Sequence, residues 1–187
     1  MKRFKLIALV MVLGMALACL AACGKTEEKT EETKSDSNYK TASYDNFSIE
    51  YPKDWTAQNQ EGMIHVSKDG TTNVPFMFVE KIGELANIGE YVVDCQNNFK
   101  NKYQNQMAQP PQTQTMEIGD RKLAGFMAKY SSTDGSKTIT RWEFSEEISG
   151  ITYHYVCEYV SSASGDEHED ETTYFDFEHM MQSMKVK

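Results

Sequence analysis

The chain has 187 residues, 40% hydrophobic and 25% charged, with 28 acidic against 19 basic side chains and a formal charge of −9. That size suits one domain with a core large enough to need no disulfide framework. The acidic balance argues against nucleic acid and anionic lipid as partners, because both require a cationic face.

Lys2, Arg3 and Lys5 precede an uncharged stretch from Leu6 to Ala22, the basic and apolar regions of an export signal. The stretch falls short of the roughly 20 apolar residues that a bilayer core demands, and it ends in small residues without a basic stop-transfer flank. Leu20, Ala21, Ala22 and Cys23 resemble the cleavage box of bacterial lipoproteins. The resemblance implies removal of residues 1–22 and a diacylglycerol thioether on Cys23, whose thiolate is the nucleophile. Cys19 lies inside the apolar run, two positions after bulky Leu17, and leaves with the signal. Cleavage removes three basic residues and no acids, so the formal charge falls to −12. Each buried methylene contributes about 0.8 kcal/mol, and the two or three acyl chains that the resemblance implies hold where one would not. Gly24 follows the cysteine, so an Asp that retains some lipoproteins at an inner membrane is absent. The expected location is the extracytoplasmic face of the cell membrane.

Residues 23–43 read as the lipidated cysteine and a disordered tether, since they are Thr, Glu, Lys, Ser, Asp and Asn with almost nothing apolar. Some 20 flexible residues reach about 25 Å root-mean-square, enough to lift a domain clear of head groups. Ser37 and Lys40 match the spacing of some serine acyl-enzymes, which in a disordered segment is accidental.

Residues 44–187 then divide by period. "FSIEYP" from Phe47 is a strand ended by Pro52, and "GMIHVSKDGTTNVPFMFVEKI" holds two strands around Asp69-Gly70. From Asn87 to about Met107, Ile88, Val92, Cys95, Phe99 and Tyr103 recur at helical spacing before Pro110-Pro111. Strands follow over Thr113 to Ile118, Lys122 to Ser131, Lys137 to Glu146 and Ile151 to Val160. A last helix begins near Asp170, with Phe177, Met180, Met181 and Met184 on one stripe.

This order predicts an α+β domain: a largely antiparallel sheet of about six to seven strands, with a long helix after the third strand and a C-terminal helix. "FSIEYPKDW", the hairpin residues Tyr130, Ser131, Ser132 and Gly135, "ITYHYVCEY" and the closing "MMQSMKV" resemble the Mog1/PsbP-like group. The resemblance implies an α/β/α sandwich found in many bacterial lipoproteins of unassigned role.

Candidate chemistry is thin. Cys95 on the helical stripe and Cys157 in the last long strand both point inward, so either a disulfide stapling helix to sheet or two separate buried thiols fits. A catalytic thiol finds no basic neighbour or exposed loop. Asp166, Glu167, His168 and Glu169 could offer carboxylates and imidazole to a divalent ion, although contiguous acids opening a helix also suit its dipole. His179 with Met180, Met181 and Met184 is soft enough for Cu(I), but three methionines at helical spacing also serve as core. His65 and His154 sit alone in strands.

Trp142, Phe144, Tyr153, Tyr155 and Tyr159 alternate onto one sheet face, with Phe126 and Tyr130 beside them. Covered by the helix carrying Cys95 they are core; left open, Trp142, Tyr153 and Tyr155 form a ligand platform. There is no G-x-S-x-G, H-E-x-x-H, Walker loop, G-x-G-x-x-G or C-x-x-C. The expectation is therefore a monomeric, non-enzymatic, cofactor-free binding or accessory module for an envelope protein or small ligand. The alternatives are an envelope-polymer hydrolase, which would need His154 beside a Ser or Asp in a cleft, and a metal-binding lipoprotein using residues 166–171 or the Met-rich helix.

Overall fold

The computed structural model describes residues 38–71, 73–161 and 167–187, with the side chains of the last helix described from residue 172 onward. The export signal, Cys23, most of the tether and Asp166 lie outside the described residues, as do the side chains of Glu167, His168 and Glu169.

Five strands precede the first helix: β1 (Tyr39–Tyr44), β2 (Phe47–Pro52), β3 (Thr56–Gln60), β4 (Met63–Ser67) and β5 (Phe76–Gly83). Helix α1 (Ile88–Tyr103) follows, then β6 (Gln112–Ile118), β7 (Arg121–Ser131), β8 (Thr138–Ile148) and β9 (Ile151–Ser161), helix α2 (Glu167–Gln182) and β10 (Lys185–Val186). Seven strands make one antiparallel sheet in the order β3-β4-β5-β9-β8-β7-β6, and β1-β2-β10 make a small second sheet. The expected helix position after the third strand is corrected to the fifth. Besides the two-residue β10, sequence patterning misses β3, an edge strand of Thr, Ala, Gln and Asn with little burial, and β1, in which Ala42 alone is fully buried. Neither carries the apolar alternation on which strand recognition depends. For the same reason the expected tether boundary at residue 43 moves back: Tyr39 to Tyr44 pair with Pro52 to Phe47. Among the described residues no helix is long and apolar enough to cross a membrane.

Helix α1 starts at an Asn87 cap, whose side chain accepts from the backbone N–H of Gly89 at 3.0 Å and of Glu90 at 3.3 Å. It packs on β7 and β8 through Phe99, which meets Phe126, Ala128 and Tyr130. The opposite sheet face carries the main core. There Ile64, Val66, Met77, Val79, Leu123, Trp142, Phe144, Tyr153, Tyr155 and Cys157 pack against Phe177, Met180 and Met181 of α2 and against Phe47 and Ile49 of the small sheet. The large sheet thus lies between two layers, each covering alternate residues of the same strands.

That division bears on three readings. Cys157 belongs to the α2 face and Cys95 to the α1 face, so the sheet separates them, and both are free thiols. The aromatic face formed by Trp142, Phe144, Tyr153 and Tyr155 is covered by α2 and the small sheet rather than by the helix carrying Cys95, and Phe126 and Tyr130 lie on the other face. The platform of Trp142, Tyr153 and Tyr155 is closed, all three being at most 4% exposed.

One close approach sets the spacing of the central strands. Gly125 of β7 faces Phe144 of β8. A Cβ there would meet the Glu143 carbonyl oxygen inside van der Waals contact and lie 2.6 Å from Phe144 Cδ1 and 2.7 Å from Phe144 Cα. Gly125→Ala should therefore destabilise the domain by about 2–3 kcal/mol, read as a lowered denaturation midpoint in urea. An unchanged midpoint would show that β7 can move away from β8 at little cost.

Candidate functional site

Strands β8 and β9 are buried on both faces, yet on the α1 side they carry Arg141, Glu143 and Ser145 opposite Glu158, Val156 and His154. Charge in such a place must be paired. Arg141 does this with both neighbours: its Nε donates to Glu143 Oε2 at 2.7 Å, and a terminal nitrogen donates to Glu158 Oε1 at 2.5 Å. The other Glu143 oxygen lies 3.2 Å from His154 Nε2, and His154 Nδ1 lies 2.8 Å from Ser145 Oγ. Burial would raise the Glu143 carboxyl, but the His154 hydrogen bond and the Arg141 charge overcome it and hold Glu143 below the usual carboxylate range.

Helix α1 completes the cluster. Cys95 faces Glu143 and His154, and one ligating atom from each of the three lies within 4.8 Å of the others. Tyr91, one turn earlier on the helix, lies beside the Cys95 sulfur, which in turn stands close to Glu143. Burial first, and the Glu143 charge second, push the Cys95 thiol up to about 11. The Tyr91 ring meets the His154 ring edge-on at 5.4 Å, and Phe78 stands 6.4 Å from it on the other side. Next to the cluster a half-open pocket of about 200 Å³ is lined by Cys95, Phe99, Tyr103, Arg141 and Glu143, with Asn98 and Lys102 at its mouth.

Sequence reasoning reads Cys95 as either a disulfide partner or a separate buried thiol and His154 as solitary unless a Ser or Asp joins it in a cleft, and it passes over Glu143. The available signal was the alternation itself: "RWEFSE" and "HYVCEY" place polar groups on a strand face that a helix must cover. His65, on the same face of β4, is a buried core histidine whose ring is tilted against that of Phe76 at 5.6 Å, and burial lowers it despite the opposing charge of Asp69. The Met-rich helix brings no soft-metal set together. Met180, Met181 and Met184 are buried in the core, whereas His179 stacks on Tyr39 at 3.7 Å and reaches Glu50 Oε2 at 3.2 Å.

No protein-family model matches the chain, and no curated protein matches it significantly. Solved structures do. The Saccharomyces cerevisiae Ran-binding protein Mog1p matches with a TM-score of 0.52 at 8% identity, over 80% of this chain and 95% of its own. The solution structure of cyanobacterial PsbP from Synechocystis matches with a TM-score of 0.51 at 8% identity, over 83% and 96%. The fold is Mog1/PsbP-like. A crystal structure from Bacteroides thetaiotaomicron matches with a TM-score of 0.54 at 12% identity over 80% of this chain, which spans about half (49%) of that one. At these identities the Mog1/PsbP-like likeness concerns the path of the backbone and leaves the α1-face cluster to be argued from its own residues.

Arg141 is the group on which that cluster's electrostatics turn. Arg141→Met leaves Glu143 and Glu158 buried without their partner and should cost about 3–5 kcal/mol. The triple replacement Arg141→Met, Glu143→Leu, Glu158→Leu should recover most of that loss. Chemical denaturation of both variants checks the pair of outcomes.

Proposed function

We propose that this chain is a lipid-anchored module on the extracytoplasmic face of the cell membrane, and that it acts by binding at its α1 face rather than by catalysis. The observation carrying the binding reading is the pocket beside Cys95, Arg141 and Glu143, where an otherwise buried charged cluster meets solvent. Its volume of about 200 Å³ is below that of drug-sized sites and suits an ion or a ligand of a few heavy atoms. A binding role also agrees with the description of the similar yeast structure as a Ran-binding protein. The anchor rests on Lys2, Arg3, Lys5 and the box ending at Cys23.

A hydrolase reading has one observation in its favour. Ser145 Oγ, His154 and Glu143 form a hydrogen-bonded chain through the two ring nitrogens, the connectivity of a Ser-His-acid triad. Access weighs against it. Ser145 is 1% exposed and does not line the pocket, so no substrate carbonyl can approach its oxygen. A serine-directed phosphonate probe should leave Ser145 unlabelled in the native protein; labelling there would reinstate the enzyme.

The anchor is tested by Cys23→Ser. The variant should escape signal processing and acylation, and the mature-length, detergent-extractable form should vanish from membrane fractions. Normal processing with unchanged membrane retention would remove the lipid anchor from this reading.

A further inference from the structure

The α1-face cluster combines a thiol, an imidazole nitrogen and a carboxylate from three separate elements. Sulfur and nitrogen donors with one oxygen suit zinc, and three protein ligands with one open position are a recurrent arrangement for it. We propose that Cys95, Glu143 and His154 bind one Zn²⁺ ion, with the fourth position open toward the adjoining pocket. This deepens the binding reading by naming its ligand, and it owes nothing to the lipid anchor.

Distances suit the ion. His154 Nε2 and Glu143 Oε1 stand 3.2 Å apart, close to the edge of a tetrahedron whose metal bonds are about 2.0 Å. Cys95 Sγ lies within 4.8 Å of a ligand atom of each of the other two residues, and closing onto a metal at about 2.3 Å from sulfur asks for a shift of roughly 1 Å. A calcium or magnesium ion would need several more oxygens than this set offers.

The surroundings orient the ligands. A metal-bound histidine ordinarily donates its second ring N–H to a fixed partner, and Ser145 Oγ lies 2.8 Å from His154 Nδ1. The Glu143 oxygen that faces away from His154 is held by Arg141. Aromatic walls from Tyr91 and Phe78 flank the imidazole, and the pocket lined by Cys95 and Glu143 supplies the entry path.

Charge and proton balance close as well. Arg141 against Glu143 and Glu158 leaves one uncompensated negative charge in a buried layer. The Cys95 thiolate adds a second, and a divalent cation cancels both. On binding, Cys95 loses its proton to solvent. With Nε2 on the metal, the imidazole carries its proton on Nδ1, where the Ser145 hydroxyl 2.8 Å away accepts it. One proton is released per metal bound.

The test uses the full chain in detergent. Equilibration with Zn²⁺ and removal of the excess should leave one tightly held zinc per chain, with a rise in Tm of about 5 °C or more at a hundredfold excess over Kd. Co²⁺ should give a thiolate-to-metal charge-transfer band that Cys95→Ser abolishes and Cys157→Ser keeps. Glu143→Gln and His154→Gln should each weaken zinc at least tenfold. Should either variant fail to fold, the cobalt spectrum of the unmutated chain decides by itself. No retained zinc, a cobalt complex without the thiolate band, or wild-type affinity in Cys95→Ser would each overturn the site. Cys23→Ser should bind zinc as the unmutated chain does, so loss of the anchor and loss of the metal site are separate results.

Discussion

A guanidinium buried between two carboxylates governs the middle of this domain. Arg141 joins Glu143 on its own strand to Glu158 on the next, in a largely buried layer beneath a helix, with Arg141 and Glu143 reaching the adjoining pocket. None of the three can be left alone there without a large desolvation cost. Their pairing ties the register of β8 to that of β9. A slip of one residue would turn Arg141 and Glu143 into the aromatic core and bring Trp142 and Phe144 under α1. The same register sets Ser145 opposite His154, so the polar groups around the imidazole follow from one charged ladder.

The two faces of the sheet consequently have different characters. The face under α2 and the small sheet is densely apolar: Phe47 meets Tyr153 edge-on at 5.5 Å, Trp55 meets Phe177 at 5.9 Å, and the methionines fill the intervals. The buried Glu146 on that face is raised by burial against the opposing hydrogen bond from Tyr155 and the Arg121 charge. The face under α1 pairs a small aromatic cluster around Phe99 with the charged ladder. Stability comes mainly from the first face, which leaves the second free to hold titratable groups near solvent.

Several elements were legible from pattern alone. The strand at Phe47, both strands around Asp69-Gly70 and the four long strands after α1 sit within a residue or two of their expected places, because each carries a full alternation. Helix α1 starts where its helical stripe predicts but ends four residues early, at Tyr103. Strands β1 and β3 were not, since edge strands that bury little need no apolar residues. The cysteines mark the limit more sharply. Cys95 and Cys157 are both inward-facing, as read, but "inward" has two meanings in a three-layer fold, and the sheet stands between them. A disulfide needs Cα atoms within about 7 Å on the same side.

The amino-acid order by itself determined which residues alternate and where turns and caps fall, because these depend on neighbours a few positions away. Which layer covers which face, and therefore that Cys95 meets Glu143 and His154 rather than Cys157, was decided by tertiary packing alone. A helix stripe specifies that something apolar must be covered, but not which side of a two-sided sheet it lands on. That choice is made when α1 and α2 compete for the two faces, and the larger apolar surface goes to α2 and the small sheet.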